Sequence, residues 1–222
     1  MSFIVGIDGP AGSGKGTVTK IIANKLNLVT IDTGATYRCV ALEALNQNVD
    51  LSQTDKIIEI AKNISIEIEN TLAGDKVYLN GTDVTSQIRS KEVSKIVSPV
   101  SSIKEVRIEM VKLQRKLAEG KDIIMEGRDI CTYVFPNADV KIYLDATLEE
   151  RAKRRYLEMK EKGMDVTLEE IKSMIEARDK NDKEKEMGAL KLAPDSIIVD
   201  TTNKTINEVT DEIIKIINNK KQ

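Results

Sequence analysis

The chain contains no histidine. Ser-His-Asp and Cys-His centres, an imidazole general base and histidine-held metals are therefore excluded, and the chemistry must come from carboxylates, lysines, arginines and backbone amides. Cysteine is nearly as scarce: Cys39 and Cys131 are the whole supply, too few for a disulfide framework or a four-thiolate zinc site. No apolar run approaches the ~20 residues of a helical membrane span, and Met1-Ser2 leads into a strand-like segment instead of a charged leader, which points to a cytoplasmic protein with no membrane partner. An excess of one charge is missing too. Lys+Arg number 34 against Asp+Glu 36, so no bulk field draws the chain to nucleic acid.

What remains is enough to fold. The 222 residues are 41% hydrophobic and 32% charged, which suits one core domain with insertions. Apolar, β-branched runs at 3–8, 28–32, 122–126, 140–145 and 196–200 read as buried strands. Between them, 3.6-residue periodicity predicts helices at 15–26, 37–45, 54–60, 103–117, 148–159, 168–177 and 206–217. Thr147 with Glu150, Thr167 with Glu170 and Thr205 with Glu208 are capping boxes that start three of them. Strand–helix alternation implies a five-stranded parallel α/β sheet with right-handed crossovers. One stretch breaks the alternation: Ile64, Ile66 and Ile68 alternate with polar residues, 76–79 offers a second strand and Asn80-Gly81 suits a type I′ turn, so 64–85 reads as a small antiparallel insert.

The strongest motif is Gly9-Pro10-Ala11-Gly12-Ser13-Gly14-Lys15-Gly16-Thr17, between the first strand and the first helix. Glycines let successive amides converge on phosphate oxygens, the helix N-terminus adds partial positive charge, and Lys15 is expected as a partly exposed phosphate ligand. Gly16 follows the lysine where Ser or Thr is usual, which leaves open whether Thr17 touches a magnesium ion. A GTP switch is disfavoured, because Asn203-Lys204 continues as Thr205-Ile206 and lacks the guanine-reading aspartate.

Three further segments follow: Asp32-Thr33-Gly34-Ala35-Thr36-Tyr37-Arg38 after the second strand, Glu126-Gly127-Arg128-Asp129-Ile130 after the third, and Arg178-Asp179-Lys180-Asn181-Asp182. In open α/β sheets, ligands bind beyond the carboxyl ends of the strands, where the first two of these fall. In this order, and from about residue 3 to 217, the motifs resemble bacterial cytidylate kinases of the nucleoside-monophosphate kinase family. The resemblance implies a single kinase domain over 1–222, an acceptor-binding insert at about 38–105, and a mobile lid at about 151–165. It implies transfer of the γ-phosphoryl group of ATP to CMP or dCMP with Mg2+, small-molecule partners only, no protein-held metal and a monomer.

Carried over residue by residue, Lys15, Arg128, Asp129 and Arg154 match catalytic positions, and residues 9–17 with Arg154 and Arg155 match the ATP side. Thr33, Arg38, Ser98, Arg107, Arg128, Asp129, Arg178, Asp182 and Lys185 match the acceptor side, Ser98 and Arg107 reading the cytosine edge. Read as residues alone, several have plainer alternatives: Arg38 and Arg107 as solvated helix arginines, Ser98 before Pro99 as a turn or cap residue, and Arg151–Arg155 as an exposed helix face. The 178–186 run, with Asp179/Lys183 and Lys180/Glu184 four apart, reads mostly as a solvated helix. Lys185 stands where the family usually has arginine, and either reaches the acceptor phosphate or is solvated. Cys131 stands where a glycine is usual and reads as a small buried residue. The functional alternatives are a kinase for another acceptor, such as AMP, UMP or shikimate, and a regulatory protein that binds nucleotide without turnover.

Overall fold

The computed structural model describes residues 2–71 and 74–221. In chain order the elements are β1 (Ile4–Asp8), α1 (Lys15–Leu26), β2 (Val29–Asp32), α2 (Thr33–Asn46), α3 (Thr54–Asn63), β3 (Ile66–Thr71), β4 (Gly74–Leu79), β5 (Thr82–Asp83), α4 (Lys91–Ser102), α5 (Lys104–Ala118), β6 (Ile123–Gly127), β7 (Val140–Asp145), α6 (Leu148–Glu161), α7 (Leu168–Glu184), β8 (Ile197–Asp200) and α8 (Ile206–Lys221). The parallel sheet has the order β2-β6-β1-β7-β8, and β3-β4-β5 form a separate three-stranded sheet. The expected α/β class with a five-stranded parallel sheet is thus what the chain adopts.

Two compact units divide the chain, Met1–Leu28 with Asp122–Gln222, and Val29–Lys121. In the first, β1 pairs in parallel with β6 and β7, so that Asp8 lies level with Gly127 on one side and Tyr143 on the other. Val5, Ile7, Ile124, Val140, Ile142 and Leu144 from the strands are buried with Val18 and Ile22 of α1 and Ile213 and Ile217 of α8. These β-branched residues fit a sheet covered by helices, which explains why the strands were legible as near-continuous apolar runs. The capping boxes at Thr167 and Thr205 form in full. At Thr147 only half forms, because the Glu150 carboxylate is taken by Arg154.

In the second unit, β3 and β4 pair antiparallel, with Ile66 opposite Leu79 and Ile68 opposite Val77, placing the alternating isoleucines against one core. Asn80 and Gly81 both have positive φ, 49° and 80°, as a type I′ turn between β4 and β5 requires. Two departures from the sequence reading lie here. Helix α2 starts at Thr33 and not at 37, because Asp32 caps it by accepting from the Ala35 N–H at 3.1 Å. The sequence reading assigns no helix to 91–102, yet α4 forms there on the helical spacing of Val93, Ile96, Val97 and Val100 and continues through Pro99, which gives up the bond to the Lys95 carbonyl.

Candidate active site

The phosphate loop joins β1 to α1 with the geometry its glycines allow. Gly14 has φ 90° immediately before the helix, a conformation that L side chains adopt at a cost. A Cβ on Gly9 would lie 2.1 Å from the Leu144 carbonyl oxygen, so only glycine lets the loop leave the sheet here. Lys15 is 5% exposed, not partly exposed as expected. Its ammonium donates to the Pro10 carbonyl at 2.7 Å and to Ser13 Oγ at 3.2 Å, turning back onto the loop. Burial, then the nearby Arg128, lower its pKa to about 7, and Glu126 and Asp8 only partly offset them. Arg178 adds to the lowering, which places its charge within reach of the same ammonium. Thr17 is exposed on the first turn of α1.

Two helices brace the loop from behind. Arg151 on α6 donates to the carbonyls of Ala11 and Ala146, each at 3.0 Å, and pairs with Asp179 of α7 at 2.5 Å. Asp179 in turn accepts from the Ala11 N–H at 3.2 Å. Arg151 and Asp179 are therefore buried, which corrects their reading as parts of solvated helix faces; Asp179 pairs with Arg151 across the helices and not with Lys183 along its own. Arg154 donates to Thr201 Oγ1 at 2.9 Å and to the Thr201 carbonyl at 2.6 Å, and Thr201 Oγ1 donates to the Asp145 carbonyl beside the loop strand. Arg155 pairs with Glu158 at 2.7 Å, half-exposed on the surface of α6.

The segment after β6 supplies a second set of charges. Arg128 donates through Nε to Asp182 at 2.7 Å, and Lys185 reaches the other Asp182 oxygen at 3.1 Å. Burial opposes ionisation of Asp182, but the two cations prevail and hold its pKa below the ordinary carboxylate value. Lys185 is thus neither solvated nor isolated: its side chain is 12% exposed and held at the C-terminal end of α7. Asp129 is buried, and its carbonyl accepts from Tyr133 and Val134 in a wide turn spanning Ile130–Val134.

In the second unit the predicted acceptor residues lie on three helices. Thr33 opens α2, and its carbonyl accepts from Thr36 Oγ1 at 2.8 Å. Arg38, half-buried, donates to the Ile88 carbonyl at 3.1 Å and Ser94 Oγ at 3.0 Å, so it is not a solvated arginine. Arg107 is not solvated either: it is buried on α5, with its guanidinium 5.3 Å from the Tyr37 ring centre and Nη1 donating to the Ser101 carbonyl at 3.1 Å. Ser101 Oγ donates to the Ser98 carbonyl at 2.9 Å, which brings the two predicted base readers together through one residue. Ser98 itself lies within α4, not in a turn.

The model of the cytidylate kinase family matches residues 5–219. The chain belongs to the cytidylate kinase family. It is 48% identical to the cytidylate kinase of Caldicellulosiruptor saccharolyticus over 96% of this chain and 94% of that one. It is also 48% identical to the cytidylate kinase of Bacillus subtilis, over 97% and 96% of the two chains. A crystal structure of an uncharacterized protein from Eubacterium ventriosum superposes with a TM-score of 0.55 at 15% identity, covering 98% of this chain and 99% of the other, which speaks for the fold alone. Asp8 and Thr201 were not singled out in the sequence, and Arg151 and Asp179 read there only as parts of solvated helix faces. Each acts on a partner distant in the sequence, and only the charge of Asp8 at the end of an apolar strand offered a local signal.

Proposed function

We propose that the protein is an ATP-dependent (d)CMP kinase: ATP + CMP (or dCMP) gives ADP + CDP (or dCDP). The observation that carries this reading is membership of the cytidylate kinase family along nearly the whole chain. Phosphoryl transfer asks for positioning and charge neutralisation more than for covalent chemistry, and the chain's arginines, lysines and loop amides suit that task. We assign residues 9–17 and Arg154 and Arg155 to ATP, and Lys15 to the phosphoryl oxygens that gain charge in the transition state. Thr33, Arg38, Ser98, Arg107, Arg128, Asp129, Arg178, Asp182 and Lys185 are assigned to the acceptor, arginine forks suiting phosphate and carbonyl edges and carboxylates suiting sugar hydroxyls or an exocyclic amine. Residues of about 38–105 serve as the acceptor-binding insert and about 151–165 as the lid, within one kinase domain that works as a cytoplasmic monomer.

Among the described residues, no group of three or more Cys, Asp or Glu side chains is disposed to hold a metal ion by itself. We assign Mg2+ to the phosphate oxygens of ATP, where it would supply charge neutralisation. The test is a panel of AMP, CMP, dCMP, UMP and GMP with ATP, read as acceptor-dependent ADP production. Fastest turnover with CMP or dCMP is expected. Faster turnover of AMP or GMP would overturn the acceptor assignment, and absence of turnover with every acceptor would make the protein a nucleotide-binding regulator instead.

A further inference from the structure

Strand β1 is apolar until its last residue. Val5 and Ile7 are fully buried, and Asp8 after them is only 1% exposed. Burial lifts the Asp8 carboxyl to about 6, although two backbone N–H groups favour its ionised form. A group that is costly to ionise where it sits is a poor strand end on stability grounds alone. Its partners show what it does: Oδ1 accepts from the Ile130 N–H at 2.9 Å and Oδ2 from the Cys131 N–H at 2.8 Å. Those are the two residues directly after Arg128 and Asp129, and the next residue after Asp8 is Gly9, where the phosphate loop begins.

We propose that Asp8 is a positioning residue for acceptor phosphorylation: by accepting from both Ile130 and Cys131, its carboxylate holds Arg128 and Asp129 in fixed register with the phosphate loop. The proposal rests on the (d)CMP kinase reading. No other side chain of similar size does the same work, since a serine or asparagine offers one acceptor oxygen in this geometry and two N–H groups need two. The titratable groups that face the carboxylate are Lys15 from α1, Asp129 from the turn, the neutral Tyr143 phenol from β7 and the Cys131 thiol, which also hydrogen-bonds to it, with Glu126 of β6 beside Lys15.

Asp8→Asn separates positioning from a merely structural role. It removes a buried charge but leaves one N–H facing an amide donor, so the melting temperature at neutral pH should stay within a few degrees of the parent. CMP use should suffer instead: apparent KM for CMP raised roughly ten-fold with kcat lowered, and KM for ATP within about two-fold. Because part of the effect runs through Asp129 and the rest through Arg128, adding Asp8→Asn to Asp129→Ala should lower CMP affinity in calorimetry by clearly less than Asp8→Asn does in the parent. In the parent alone, amide exchange at Ile130 and Cys131, corrected for intrinsic rates, should lose protection as pH falls through about 6, whether or not the variant folds. CMP kinetics of the variant equal to the parent's, an undiminished effect in the Asp129→Ala background, or pH-independent protection would each overturn the proposal. A parent that does not phosphorylate CMP would instead overturn the functional reading beneath it.

Discussion

Replacing Lys15 by methionine should abolish transfer and leave the protein at least as stable. The ammonium makes two contacts, with the Pro10 carbonyl at 2.7 Å and Ser13 Oγ at 3.2 Å. Removing it orphans little, because the Ser13 hydroxyl itself donates to the Pro10 carbonyl at 3.1 Å. Methionine nearly matches the lysine stem in volume, and exchanging a buried charge for an apolar side chain is often neutral or stabilising by ~1–4 kcal/mol. The pH dependence follows from the lowered pKa. Between about 7, the folded value, and 10.5, the ordinary one, the unfolded chain binds more protons at this site than the folded one. Parent stability should therefore rise with pH across that window, and the advantage of the variant should be largest near neutral pH and shrink above it. Loss of a charge-stabilising contact costs ~3–4 kcal/mol of barrier, a few hundred-fold or more in rate. Bound phosphate would raise the lysine's pKa again, so ATP binding near pH 8 should take up nearly one proton in the parent and none at this site in the variant. Coupled ADP production, thermal melts at several pH values, and calorimetry in buffers of different ionisation enthalpy read all three. Turnover within about ten-fold of the parent, or an unfolded variant, would falsify the assignment.

Asp129→Ala should weaken CMP binding by ~1–3 kcal/mol while leaving ATP binding nearly unchanged; equal losses for both nucleotides in titration calorimetry would refute its place on the acceptor side. Gly6→Ala should destabilise by ~1–3 kcal/mol, since the new Cβ would lie 2.8 Å from Cys131 Sγ and 3.1 Å from Ile130 Cγ2. Adding Cys131→Gly should restore part of that loss in urea melts, and no recovery would show that the strain lies elsewhere. Lys185→Ala should raise the CMP KM several-fold by freeing Asp182 to draw on Arg128 alone, and Lys185→Arg should retain CMP use; an alanine variant with parental kinetics would remove Lys185 from the site.

The parts of the fold legible in the sequence are those set by local rules. Helix α1 begins and ends where its periodicity said, because Gly14 starts it and the apolar positions Val18 and Ile22 face the sheet. The Asn80-Gly81 turn needed only two residues with positive φ. Helix α4 is less legible, because Ser98-Pro99 also suits a turn or a cap although Val93, Ile96, Val97 and Val100 have helical spacing. The candidate site was legible as motifs but not as contacts. Arg151 looked like a surface arginine among other charges, and its burial depends on Ala11 and Asp179, 140 and 28 residues away. Lys185 posed the same difficulty: whether it is solvated depends on Asp182 being already engaged with Arg128, which no spacing rule expresses.

The distribution of buried charge separates the two jobs of the first unit. Its apolar cluster joins β1, β6, β7 and β8 to α1 and α8. Its buried charged residues are Asp8, Lys15, Asp129, Arg151, Asp179 and Asp182, and each lies at a strand end, in the phosphate loop or its first helical turn, or on α6 or α7. Burying them costs desolvation that the hydrophobic cluster must offset, and several are held away from their ordinary protonation balance as a result. A protein selected for stability alone would have apolar residues at several of these places. Substitutions in the cluster should therefore lower stability and activity together, as cavities do. Among the charges at its edge, Lys15 can be made apolar with stability held or raised, whereas removing one member of the Arg151–Asp179 pair strands a buried charge and should cost stability as well as activity.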